Sequence, residues 1–210
     1  MALTGSNRRG RGEKRKKPTM AETWAELADR LEGSVTTSKK GKPKGIEFPH
    51  DGRIVTVDTY TVSTGQSSVT YSRARLALVV MDEFRCKIFS ANLFTALGVR
   101  FGMQDITVGR RELDKRYVFQ GSSESTVRSL VLGTRVGQLL TEKPTARLEV
   151  KPLDRKLRKV HGEDARQVVV QTGMLKEVTK LQRLADLCTA TSDQVVRLGL
   201  VAERPIIVDW

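Results

Sequence analysis

Residues 105–132 read DITVGRRELDKRYVFQGSSESTVRSLVL. Ile106 and Val108 alternate as a short strand closed by Gly109, and Tyr117-Val118-Phe119, β-rich and apolar, reads as a second strand stopped by Gly121. Ser122 or Ser123 then offers a hydroxyl to cap a helix. Val127, Leu130 and Val131 recur at the spacing that holds one helix face against a core. A strand, a charged bend, a second strand and a capped helix make a hinge from a sheet into a helical layer. That order of events points to an α+β domain.

Downstream of this block, the capped helix is expected to end near Gly133, with a second helical stretch over Thr134–Leu140 closed by Pro144. Ala146–Val150 reads as a strand with Leu148 and Val150 on one face, and Asp154–Arg166 as a long charged excursion turning at Gly162. Val168-Val169-Val170 has the continuous apolar character of a buried strand. Met174–Leu200 reads as the longest helix, striped by Val178, Leu181, Leu184, Ala185, Leu187 and Cys188, with Ser192 and Asp193 as a point where it could break. Ile206-Ile207-Val208 is expected to add a last edge strand.

Upstream, Trp24, Leu27, Ala28 and Leu31 recur at helical spacing after Thr19 or Met20, and Gly33 ends that helix. Thr36–Gly45, TTSKKGKPKG, reads as a lysine-rich loop. Asp51-Gly52 signals a tight hairpin turn into a strand over Arg53–Val62. A second turn over Ser63–Ser68 leads to a strand over Val69–Val80. There Ala74, Leu76, Leu78 and Val80 share one face, and Tyr71, Arg73 and Arg75 share the other. Phe84, Cys86 and Ile88 alternate with Arg85 and Lys87, so these segments are expected to form a three- or four-stranded antiparallel meander. Asn92–Phe101 fits one or two helical turns.

The 210 residues carry 37 basic and 24 acidic side chains, a net charge of +13. Residues 1–19 hold Arg8, Arg9, Arg11, Lys14, Arg15, Lys16 and Lys17 against Glu13 alone, leaving +7 for the rest. So few apolar side chains cannot offset the entropy of ordering that segment, which predicts a disordered basic tail over 1–19 and a single α+β domain over 20–210. A field of this sign attracts nucleic acid, anionic membrane or acidic proteins. Cys86 and Cys188 stand far apart with no metal spacing, which fits a reducing cytoplasm. No apolar run is long enough for a membrane span.

Catalytic chemistry has little to build on. Only His50 and His161 could serve as an imidazole base, no Gly-x-Ser-x-Gly elbow occurs, and GKPKG lacks the spacing and hydroxyl of a phosphate loop. Asp105, Glu112 and Asp114 beside Lys115 resemble the acidic pair and lysine of metal-dependent nucleases, but the acid-x-lysine spacing is off by one and a charged surface bend fits as well. Arg73 and Arg75 with Tyr71 could form a single-strand nucleic-acid platform, or could pair with Glu47 and Asp58 across strands.

The run from Ile106 to Gly121 followed by a helix, flanked by Tyr71-Ser72-Arg73-Ala74-Arg75 and Trp24-Ala25-Glu26-Leu27-Ala28, resembles an uncharacterised family of bacterial α+β proteins. Leu113 replaces the aromatic usual in that pattern. Some relatives carry membrane helices; the resemblance implies an α+β domain in a bacterial or phage cytosol and brings no catalytic residue.

The resulting expectation is a mainly antiparallel sheet with the first and last helices on one face. The function expected is a non-catalytic binding or adaptor protein with sequence-independent affinity for nucleic acid. Its contacts would come from Arg8, Arg9, Arg11, Lys14, Arg15, Lys16, Lys17, Arg73 and Arg75, with no cofactor and no metal. Two alternatives stand beside it. One is a protein–protein or oligomerisation module using the Val178–Cys188 stripe or the Ile206–Val208 edge; the other is a metal-dependent enzyme using Asp105 and Asp114.

Overall fold

The computed structural model describes residues 18–63, 65–81, 83–91, 104–142, 146–202, 206–208 and 210. The basic segment 1–17 and the whole Asn92–Phe101 stretch lie outside the described residues.

Helix α1 spans Met20–Arg30. Thr19 starts it through a reciprocal cap: its hydroxyl accepts the Glu22 amide, and the Glu22 carboxylate accepts the Thr19 amide at 2.6 Å. Trp24, Leu27 and Ala28 are buried as the spacing requires. The lysine-rich stretch is not a loop throughout. Strand β1 covers Ser34–Thr37 and β2 Pro43–His50, which narrows the loop to the residues between them. Pro43 opens β2, where a missing amide proton is tolerated. Asp51 and Gly52, at φ 48° and 72°, make the two-residue turn into β3, Arg53–Ser63.

Strands β4 (Ser68–Val79), β5 (Cys86–Ser90), β6 (Gln104–Ile106), β7 (Tyr117–Gly121), β8 (Arg147–Pro152) and β9 (Ala165–Gly173) complete a nine-stranded sheet. Its order is β1-β2-β3-β4-β9-β8-β5-β7-β6, and every neighbouring pair is antiparallel. The meander therefore stops at β4. The place beside β4 expected for β5 is taken by β9, the central strand, whose Val168, Val169 and Val170 are all buried. A strand apolar on both faces belongs in the middle of a sheet.

The organising block folds largely as read. Val108 lies past the end of β6, and the charged bend is a single helical turn, α2, Arg111–Asp114. Helices α3 (Glu124–Val131) and α4 (Arg135–Thr141) follow, capped by the hydroxyls of Ser123 and Thr134. Gly137 lets α4 close against α3: a Cβ there would stand 2.1 Å from the Val131 carbonyl oxygen.

Two further expectations need correction. The charged excursion contains helix α5, Arg155–His161, ahead of the Gly162 turn. The last helix, α6, spans Val178–Arg197 and runs unbroken through Ser192 and Asp193; it starts later than Met174.

The sheet has two different faces. Ile46, Val57, Leu76, Ile88, Phe119, Leu148 and Val170 point to the main core beneath α1, α3, α4 and α6, with α6 lying across β3, β4 and β9. The apolar stripe of α6 is spent there: Val178, Leu181, Leu184, Leu187 and Cys188 are buried within the chain rather than presented to a partner. On the opposite face, Ala77, Val79, Leu153 and Ala165 form a smaller cluster with Ile206 and Val208, against which Leu157 of α5 and Trp210 also pack. The Ile206–Val208 segment is thus no edge strand. It lies on a patch of the sheet whose apolar side chains need a cover.

Candidate functional site: the polar face of the sheet

Beyond the smaller cluster, the face turned away from the long helices is polar. The strand register lines up Glu47, Thr56, Arg75, Val169, Glu149, Lys87, Gln120 and Asp105 in one row across eight strands. A second row runs Gly45, Asp58, Arg73, Gln171 and Arg147. Period-two alternation places them: each is one residue away from a core-facing neighbour.

Asp58 is the centre of this face. Arg73 donates to it through Nε at 2.7 Å and Nη2 at 2.9 Å, and Arg75 donates through Nη2 at 2.8 Å. The Arg73 guanidinium also sits 4.5 Å from the ring centre of Tyr60. Tyr60 stacks on Tyr71 at 5.4 Å and donates its hydroxyl to Gln171 at 2.8 Å. Arg75 is more enclosed: its guanidinium lies 4.2 Å from the Trp210 ring, and burial lowers its pKa to about 10 against the opposing pull of Asp58. Further along, Glu149 accepts from Arg147 Nε at 2.9 Å and faces Lys151 Nζ at 3.4 Å. Burial likewise lowers the pKa of Lys87.

Arg73 and Arg75 therefore stand together on one face, as their alternation predicts, and their cross-strand partner is Asp58. Glu47 instead accepts from the Thr56 hydroxyl at 3.4 Å. Arg73 keeps part of its surface in solvent; Arg75 is held between a carboxylate and an indole. Two buried atoms of the long row, Arg75 Nε and Gln120 Oε1, have no hydrogen-bond partner among the described residues.

The other candidates lie apart from this network or at its margin. Asp105 accepts from Gln120 at 2.8 Å, whereas Asp114 accepts the amides of Val108 and Gly109 at 2.9 and 3.0 Å and so shapes the bend before α2. Among the described residues, no three His, Cys, Asp or Glu side chains converge as a metal site would need. His50 pairs with Asp193 at 2.7 Å, tying the β2–β3 turn to α6. Cys86 and Cys188 are unpaired and buried, and burial pushes the Cys86 thiol up to about 12 and Cys188 further still. Neither is poised as a nucleophile.

Sequence reasoning did not find Tyr60, Arg147, Glu149, Lys151 or Trp210 as parts of this face. The alternation of Arg147, Glu149 and Lys151 was a usable signal. The position of Trp210 had none, because its contact with Arg75 is remote in sequence.

No protein-family model matches the chain, and no curated protein matches it. Among solved structures the fold is similar to the crystal structure of the mycobacterial trehalose monomycolate transport factor A, TtfA. The TM-score is 0.52 at 8% identity, covering 88% of this chain and 98% of that one. The likeness is one of architecture.

Proposed function

We propose that the protein is a non-catalytic binding protein that holds nucleic acid through its phosphates without reading sequence. The supporting observation is how the charges are sorted. Most ion pairs of the fold use arginines, whereas Lys39, Lys40, Lys42 and Lys44 are all exposed and have no acidic partner among the described residues. These lysines flank the turn between β1 and β2. The register of Gly45 with Asp58 and of Asp58 with Arg73 puts that turn at the same end of the sheet as Arg73 and the Tyr60–Tyr71 stack.

In this reading the segment Arg8–Lys17 and the lysine turn supply charge. Arg73 adds a partly exposed edge, and Arg75 orders the face from beneath. The fold likeness to a transport factor brings no cargo to this chain, because a shared architecture hosts unrelated functions.

The test is anisotropy of a labelled single-stranded oligonucleotide against salt. Seven cations in the arm neutralise about 4–6 phosphates, so log affinity for the single strand should fall against log salt with a slope of about −3 to −4. Removing residues 1–17 should flatten the slope for every sequence alike, and replacing the four lysines by Gln should weaken what remains. Absence of binding by the full chain at low salt overturns the proposal and favours a protein–protein module. Loss confined to Arg73→Ala would move the site onto the sheet.

A further inference from the structure

A different surface carries two features that nucleic-acid binding does not require. Helix α5 exposes Arg155, Lys156 and Lys159, none of which has an acidic partner among the described residues. Arg158, between them, is engaged by Glu163 and by the Leu153 carbonyl. The same helix exposes Val160 at 76%, and Ile207 is exposed at 69%. These two are the most exposed large apolar side chains among the described residues.

Both belong to elements that pack on the smaller cluster: α5 through Leu157, and the last segment through Ile206 and Val208. Trp210, partly exposed, packs on that cluster as well. An isolated exposed valine needs no explanation. Exposed cations and two exposed aliphatic side chains on elements that share one small cluster are a different matter, because water is a poor solvent for half of the set and phosphate satisfies only the other half.

From this grouping we infer that α5, residues 206–208 and Trp210 form a docking surface for an anionic lipid bilayer. The cations lie against lipid phosphates, and Val160 and Ile207 enter the headgroup boundary, the division of labour by which peripheral proteins sit on membranes. No helix among the described residues is long and apolar enough to cross a membrane, and the contact inferred is with its surface. The inference does not depend on the nucleic-acid reading, which rests on the opposite end of the sheet and on the arm.

The experiment is co-sedimentation of the full chain with vesicles of phosphatidylglycerol and phosphatidylcholine in equal parts, and with phosphatidylcholine alone. Binding is expected only to the anionic vesicles. Each cation near such a surface strengthens partition about fivefold, so Lys156→Gln with Lys159→Gln should weaken it about 25-fold. Val160→Ser with Ile207→Ser should weaken it about tenfold or more, while leaving oligonucleotide affinity unchanged. All four positions are exposed, so the variants should melt like the parent.

No vesicle binding at low salt overturns the proposal, as does binding insensitive to both pairs. Loss of oligonucleotide binding without loss of vesicle binding in the lysine pair would assign α5 to nucleic acid instead. A concentration-dependent dimer abolished by the Val160 and Ile207 changes, with no vesicle binding, would assign the surface to a second copy of the chain.

Discussion

One carboxylate decides the state of the polar face. Asp58 is almost enclosed and pairs with two arginines from the adjacent strand, one of them equally enclosed. Removing one partner of a buried pair leaves a charge that can neither hydrate nor pair, and that penalty exceeds the net worth of the pair itself. Asp58→Ala is therefore expected to cost about 3–5 kcal/mol in a urea melt. Arg73→Ala should cost only about 1 kcal/mol, because Arg73 is partly solvated and Asp58 keeps Arg75. Similar small losses for both would mean that water reaches the pair freely. The alternation of Tyr71, Arg73 and Arg75 was enough to place both arginines on one face, and Asp58 was legible as a cross-strand partner. What could not be read was that the pairing is tight enough to occupy Arg75, since that depends on Trp210 closing over it from elsewhere in the chain.

At the level of elements, local signals were reliable and remote ones were not. Of Thr19 and Met20 it is Thr19 that caps the first helix, of Ser122 and Ser123 it is Ser123 that caps the helix of the block, and Thr134 caps the stretch it opens, because a cap is a bond across three residues. The second strand of the organising block falls where alternation puts it, with Tyr117 and Phe119 buried and Val118 only partly so, whereas the first lies earlier than the alternation of Ile106 and Val108 puts it and ends at Ile106. Helix α5 was missed because its seven residues are dominated by charge, and only Leu157 faces the smaller cluster. The position of β5 was missed because strand order is set by which surfaces must be buried, and no short window contains that information. The block's role in the core has a direct measure. Phe119 is 1% exposed between β5 and β6, so Phe119→Ala should lose about 3–5 kcal/mol through the cavity it leaves. Arg110→Ala, on the exposed bend, should lose less than about 0.5 kcal/mol. Equal, small losses would make the block peripheral.

For the molecule as a whole, the two thiols are matched reporters on opposite sides of one interface. Cys86 faces the main core from β5, and Cys188 reaches it from α6, with its Sγ 3.8 Å from the Val168 carbonyl oxygen. Burial raises both above the ordinary thiol value of 9.0, Cys86 to about 12. An acid whose folded pKa is raised stabilises the fold fully below its unfolded value. The unfolded chain ionises first, so that stability drains away as pH climbs from about 9 towards about 12, at about 1.4 kcal/mol per pH unit for each thiol. Cys86→Ala should remove one thiol's share of that alkaline slope, as read from urea melts across the range. The same burial predicts how the thiols react. If sheet and helical layer open together, both should be labelled by a thiol reagent only on global unfolding, with one common dependence on urea. Labelling of Cys86 well ahead of Cys188 would show instead that β5 and its neighbours part from the sheet while α6 stays seated on β9. The fold would then consist of a stable half around β3, β4 and β9 and a looser half around β5, β7 and β6.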